Sequence, residues 1–392
     1  GTNHTLVVSN GFSSISLGEN GNADRPTNCV TFAKLEHAGD GTIKIDTDRT
    51  YYSYNNSGAG SSFRVRAVVG GFHDHAIGGS GVAQAVHGAS PSNRLDANAP
   101  IVPWIVCNVQ SATGLYFPGA DDETDEIVMA GHPASVVLDD VTDPTMNVNV
   151  KDQTSLTLTE DRTVNSLRVQ NPNGGGATFN LGEGRTLTIT SGGLIVGDGS
   201  HSRGGIGNES GYNAGTAGTL YFPNKAYIYA PSQNGENGKH AAIWAKIVSP
   251  EGAVFSYPGY LDLGGDQTGI DDHIAVNGTR LTLGSSTTGC EIDVPVHLYG
   301  ASTRLSIGKE GSFCNQELHF WDHGTDGAKF IPAAGTTEKV YKLYIDGVNM
   351  PRGTYGATGS GAQYIDDRHF SGTGIARVMK DDLTQPLVLI VR

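Results

Sequence analysis

The chain has 392 residues, 55 of them glycine, and a formal net charge of −14. Charged residues make up 17% against a usual ~25%, glycine stands at about twice its usual share, and no triplet period marks collagen. A hydrophobic content of 37% is too high for a disordered chain, and no apolar run nears the ~18 residues of a membrane-spanning helix. Few charges and abundant glycine also argue against a helical protein. A β-rich chain with many turns remains. A nucleic-acid partner would need a basic stripe, and none is visible. Polyuronides would be repelled by the acidic balance, so a neutral polymer or small neutral ligand is the expected partner. The opening Gly1-Thr2-Asn3, with no basic or apolar leader after it, reads as an excised segment or mature form. The β-rich, glycine-rich composition leads us to expect a secreted or cell-surface protein.

In chain order, the first strands are expected at Leu6–Val8, Ile15–Leu17, Val30–Ala33, Thr42–Ile45 and Phe63–Val69, with an irregular insertion over residues 71–100. From about residue 150 short alternating strands recur between glycine or asparagine corners: Ser155–Leu158, Asn165–Val169, Thr178–Leu181, Arg185–Ile189 and Gly193–Val196. Residues 199–218 read as a glycine-rich loop too long for a tight turn. The same device returns in Tyr260–Leu263, Arg280–Leu283 and Arg304–Ile307, with 20 residues from Leu263 to Leu283 and 22 from Leu283 to Leu305. A step of ~20–25 residues with two or three short strands is one coil of a parallel β-helix, which buries its apolar side only by stacking on the next coil. Sandwich and propeller periods do not fit. The expectation is a single elongated domain over 1–392, with less regular coils or a cap at 1–100 and regular coils over 101–392. Of the four cysteines, Cys29, Cys107, Cys290 and Cys314, the last two lie one such step apart. They could form a disulfide or a stacked pair of free thiols.

Two C-terminal stretches, Leu343–Gly356 and Asp366–Gly374, resemble the last coils of autotransporter-associated β-strand-repeat proteins. Ala99–Trp104 and Asp161–Leu167 match the same repeat style. The size of the chain resembles that of the β-helix xylan-binding modules attached to some gut-bacterial xylanases. This resemblance implies an all-β, single-stranded right-handed parallel β-helix with an irregular N-terminal part and long loops. It further implies a non-catalytic carbohydrate-binding module that holds xylan for an appended glycoside hydrolase.

Strand alternation assigns an inside and an outside. Ile228, Ile243, Leu261, Leu263, Leu281, Leu283, Leu298, Leu305, Ile307 and Phe320 are expected inward. Their outward neighbours include Lys246, Arg280 and His297, and a proposed sugar-binding set of Tyr227, Tyr229, Trp244, Tyr260, Asp262, Tyr299, His319 and Trp321. Exposed aromatic faces on a stacked scaffold suit the C–H side of sugar rings. The bland alternative is that loops or a partner cover the rings.

For catalysis, Asp271-Asp272 is the best pair, with Asp262 and Asp266 nearby in sequence, since glycoside hydrolysis needs two carboxylates. Asp271-Asp272 resembles the paired aspartates of β-helix polygalacturonases, but the Gly-His-Gly and Arg-Ile-Lys signatures of those enzymes are absent. A polysaccharide hydrolase or lyase, or an autotransporter-like adhesin, stands as the alternative to a binding module. No cofactor is expected; Asp121–Glu126 could hold a structural calcium, but a charge run of this kind reads first as a solvated loop. His73-Asp74-His75 places two imidazoles on one side of a strand but lacks a third ligand at known spacing. Tyr51–Tyr54 is another aromatic cluster, equally readable as an N-terminal cap on the coil stack.

Overall fold

The structure, a computed structural model, describes residues 4–17, 29–47, 66–69, 97–109, 115–120, 127–129, 136–151, 157–170, 177–197, 204–207, 218–231, 241–285, 289–322 and 327–382. Tyr51–Tyr54, His73–His75 and Asp121–Glu126 lie outside these residues. The protein is all-β. Its one helical turn among the described residues is a short 3-10 turn at Leu138–Asp140.

Three long sheets dominate. The first has ten strands: Asn147–Lys151, Ser166–Gln170, Gly193–Val196, Ala226–Tyr229, Ala253–Ser256, Ile274–Asn277, Val296–Tyr299, Leu318–Trp321, Leu343–Ile345 and Val348–Asn349. The second has seven, among them Gly204–Ile206, Ala241–Ile243, Tyr260–Leu263, Arg280–Leu283 and Arg304–Ile307. The third has five: Arg162–Val164, Thr186–Ile189, Thr219–Tyr221, Lys246–Ser249 and Gly269–Ile270. From Arg162 to Leu263 the chain visits the five-, ten- and seven-stranded sheets in strict rotation, one strand at a time. Every pairing in the three sheets is parallel except the last of the ten-stranded sheet, where Leu343–Ile345 meets Val348–Asn349 antiparallel. Successive circuits are therefore neighbours in each sheet.

Register explains why such short strands hold. In the ten-stranded sheet Leu167, Leu194, Ile228, Phe255, Val276, Leu298 and Phe320 pair in line, and all are fully buried. In the seven-stranded sheet Leu261 pairs with Leu281 and Leu281 with Leu305, while Leu283 pairs with Ile307. The rung partner of Leu283 is thus Ile307 rather than Leu305, a shift of two residues that keeps the inward parity. All ten residues expected inward fall in one buried cluster. Burying a side chain in this column contributes about 1.5–3 kcal/mol of stabilisation, which no four-residue strand could gain alone.

The Gly204–Ile206 strand runs through the stretch read as one glycine loop and pairs with Ala177–Phe179. Cys290 and Cys314 are free thiols, with Cys290 buried and Cys314 exposed. Ser312 Oγ accepts the Cys290 N–H at 3.2 Å, so the two cysteines do belong to neighbouring circuits.

The N-terminal part does not continue the rotation. Phe12–Leu17, Thr42–Thr47, Ile105–Val109 and Leu115–Tyr116 form a separate four-stranded sheet, beside the pair Thr5–Val8 and Lys34–His37. Its apolar side chains, including Val8, Leu35, Ile43, Trp104, Ile105 and Phe117, make a second buried cluster with Ile195, Tyr227, Tyr229, Val254, Tyr257 and Tyr299. The N-terminal strands therefore lie across the outer face of the ten-stranded sheet. At the other end Thr337–Val340, Ile375–Val378, Gly353–Gly356 and Tyr364–Ile365 form a mixed four-stranded sheet.

Candidate functional site

The outer face of the ten-stranded sheet carries two columns of side chains set by register. One runs Tyr227, Val254, Ala275, His297, His319, Tyr344, and the other Tyr229, Ser256, Asn277, Tyr299, Trp321. Valine, alanine and serine in the middle rungs leave room for the N-terminal strands. Thr42 Oγ1 lies 2.6 Å from Ser256 Oγ, the Asn277 amide donates to the Asp40 carbonyl at 2.5 Å, and the Tyr229 hydroxyl donates to the Pro103 carbonyl at 3.0 Å.

This cover corrects the expected sugar platform. Tyr227, Tyr229 and Tyr299 do point outward, but they are buried beneath the N-terminal strands, and burial pushes all three phenols up from their usual pKa. Trp244 is buried too, just past the Ala241–Ile243 strand, where its ring lies against Gly264. Tyr260 and Asp262 stand half-exposed on the seven-stranded sheet, with the Arg280 guanidinium 4.7 Å above the Tyr260 ring centre. His319 and Trp321 are half-buried toward the end of the ten-stranded sheet, where Trp321 packs against the edge of the N-terminal cluster. The eight residues thus occupy more than one surface, and four of them are inaccessible.

The rings near the open end stack on one another. His273 and His297 are 4.9 Å apart between ring centres, His297 and His319 4.4 Å, and His319 and Tyr344 4.4 Å with planes only 6° apart. Trp321 lies parallel to Tyr299 and to His319, each at 6.3 Å. Rings repeating at the strand spacing of about 4.8 Å turn their faces to their neighbours along the row. His319 and Tyr344 are only half-buried and turn their faces to each other, while the Trp321 indole nitrogen is buried without a hydrogen-bond partner among the described residues. Glu317 Oε2 lies 3.3 Å from His319 Nε2.

At the covered end of the row sits Asp40, from the glycine-flanked turn Gly39-Asp40-Gly41. Its Oδ1 accepts from Lys225 Nζ at 2.8 Å, and its Oδ2 lies 2.8 Å from His273 Nε2 and 3.3 Å from the Tyr299 hydroxyl that donates to it. Burial opposes ionisation of Asp40, but the hydrogen bonds and charges of His273 and Lys225 outweigh it and hold the carboxyl well below the usual range. The Asp40 bond raises the His273 pKa against burial. Burial, helped by the neighbouring His319 and His273, pushes His297 down to about 3, and burial lowers His319 as well. The outer two imidazoles are therefore uncharged at neutral pH, each with one donor and one acceptor nitrogen.

The aspartates expected to pair for catalysis are held by different partners. Asp272, in the left-handed region at φ 60°, binds His273 Nδ1 at 2.8 Å, while the Asp271 side chain is exposed. Asp266 is taken up by Lys246 at 2.7 Å and by Thr268, and Asp262 lies on the seven-stranded sheet. No known protein family, curated protein or solved structure matches this chain. The site therefore has to be read from its own chemistry.

Sequence reasoning placed His297 and His319 outward but did not find Asp40, His273 or Lys225. The alternation in Val296–Tyr299 and Leu318–Trp321 carries a signal. Asp40 carries none, since its role depends on where a segment over 200 residues upstream comes to rest. No helix among the described residues is long and apolar enough to cross a membrane.

Proposed function

We propose that the chain is a right-handed parallel β-helix that binds a neutral polysaccharide, xylan in the reading set by its sequence resemblance, along the open end of the ring row. The fixed rotation of strands through three parallel sheets supports the solenoid. One observation carries the binding reading: half-buried His319 and Tyr344 sit on adjoining rungs at the edge of the N-terminal cover, with Glu317 beside His319 and Trp321 flanking on the same strand. Uncharged imidazoles and a phenol match sugar hydroxyls, which also donate and accept. Contact is made through ring edges and hydrogen bonds, because the ring faces are stacked on each other. In a longer secreted protein such a module would hold the polymer for an attached glycoside hydrolase.

Calorimetry and affinity electrophoresis against xylans, β-glucans and mannans test this. Binding to at least one neutral glycan is expected, weakened at least tenfold by Tyr344→Ala and by His319→Ala, and unchanged by Asp262→Asn on the other sheet. Absence of affinity for every neutral glycan overturns the reading. Release of reducing ends or unsaturated products, lost in Asp271→Asn or Asp272→Asn, would replace it with an enzymatic one.

A further inference from the structure

Asp40, His273 and His297 each offer one ligand atom, and the three atoms lie within 4.8 Å of one another. Two imidazoles and one carboxylate are a donor set that suits zinc, iron, nickel or copper rather than calcium or magnesium. The three come from separate places: Asp40 from the N-terminal cover, and His273 and His297 from consecutive circuits of the chain. All are at least half-buried, which limits competition from water.

The surroundings fit a ligand set. Metal-bound histidines commonly give their other ring nitrogen to a carboxylate, which fixes the ring and its tautomer. His273 has that arrangement, with Nε2 facing Asp40 Oδ2 and Nδ1 at 2.8 Å from Asp272 Oδ2. Asp272 adopts φ 60°, a backbone conformation that costs energy in a non-glycine residue, and there its carboxylate reaches the ring beside it. Asn277 donates to the Asp40 carbonyl, while its buried amide oxygen has no partner among the described residues. The Tyr299 hydroxyl lies 3.3 Å from both Asp40 Oδ2 and His297 Nδ1, placing a further polar group at the centre of the cluster.

We propose that Asp40, His273 and His297 bind a divalent first-row transition cation of the zinc type, which ties the N-terminal strands to two rungs of the ten-stranded sheet. The cation takes the place of the hydrogen between Asp40 and His273, and Asp272 holds the His273 ring in position from behind. Three protein donors leave at least one coordination position for water or for an oxygen of a bound molecule. The site is built independently of the glycan reading and does not need it.

The test uses the untagged chain, stripped with chelator, and titrates it with Co(II) and then Zn(II) while following visible absorption and heat. One equivalent of Co(II) with ligand-field bands, displaced by Zn(II), is expected, together with a rise in melting temperature. His297→Ala should abolish the bands. Asp272→Asn, whose side chain is largely exposed and not needed for packing, should weaken affinity about 10- to 100-fold, the usual effect of losing such a supporting carboxylate. No stoichiometric binding by the folded wild-type chain overturns the proposal. So does binding that survives both substitutions, which would place the ion elsewhere, for instance at His73 and His75.

Discussion

Asp40 and His273, 233 positions apart in the chain, meet at 2.8 Å between Oδ2 and Nε2. Around that contact Lys225, Tyr299 and the Asn277 amide also converge on Asp40. In the metal-free chain Asp40→Asn removes the carboxylate that joins Lys225 and His273 at the seam between cover and sheet, and leaves His273 only the exposed Asp272. Breaking a buried pair from one side costs about 3 kcal/mol or more, so urea unfolding should report an unfolding free energy lower by that amount. Protease should cut the N-terminal strands first. An unchanged midpoint would mean that the apolar cluster alone holds the cover.

Gly264 is a test of corner packing. A Cβ on this residue would stand 1.9 Å from the Trp244 ring, which no small rotation relieves. Gly264→Ala should lower stability by roughly 1–3 kcal/mol through overpacking. The double variant with Trp244→Leu should recover part of that loss, because the smaller side chain makes room. Chemical denaturation of both variants checks it, and strict additivity would contradict the contact.

The column Leu261, Leu281, Leu305 gives a matched pair of substitutions. Leu281 is fully buried between its two neighbours, while Thr282 points out between Asp262 and Ser306. Leu281→Ala should cost roughly 2–5 kcal/mol through lost contacts and a residual cavity. Thr282→Ala should stay within about 0.5 kcal/mol, as surface changes do. Similar losses at both positions would contradict the inward and outward assignment.

His369 gives the C-terminal region a pH dependence. Its Nδ1 and Nε2 each lie 2.6 Å from a carboxylate oxygen, of Asp366 and Asp322. Burial disfavours the charged ring, but these bonds outweigh it and raise the His369 pKa above 6.5, while the same contact outweighs burial at Asp366 and lowers that pKa below 3.8. The His369 contribution is complete below about pH 6.5 and is lost as pH rises through its folded value. The Asp366 contribution is present above about pH 4 and is lost as pH falls through its own. Melting temperature should therefore peak between those limits and fall as pH rises through the raised His369 value. His369→Gln should flatten the fall on the alkaline side; an identical slope would assign it to other groups.

The all-β class, the inward residues and the length of one circuit were legible in the sequence, because alternation such as Arg280-Leu281-Thr282-Leu283 reports on a strand and its own buried face. The same alternation set Tyr227, Tyr229 and Tyr299 outward. It could not say that they are covered, because what lies over a sheet face is a long-range fact. Residues 4–45 show ordinary strand patterns that would look the same in solvent. Asp40 needed that cover to acquire partners, and so the cluster with His273 and His297 was invisible until both parts of the chain were in place. The aromatic pattern was informative, but the ring faces serve neighbouring rungs and the core beneath the cover.

The short antiparallel return from Leu343–Ile345 to Val348–Asn349 has a consequence for how molecules meet. A parallel stack ending on a flat, full-length strand would invite the first strand of another molecule to continue it, as fibres do. Here the turn at Asp346 and Gly347, both at positive φ, folds the chain back and leaves only a two-residue strand at that margin. The mixed sheet takes Thr337–Val340 from just before this return and Gly353–Gly356, Tyr364–Ile365 and Ile375–Val378 from after it. Each copy thus carries its own terminator against self-templated growth, and concentration alone should not drive it into filaments from this end.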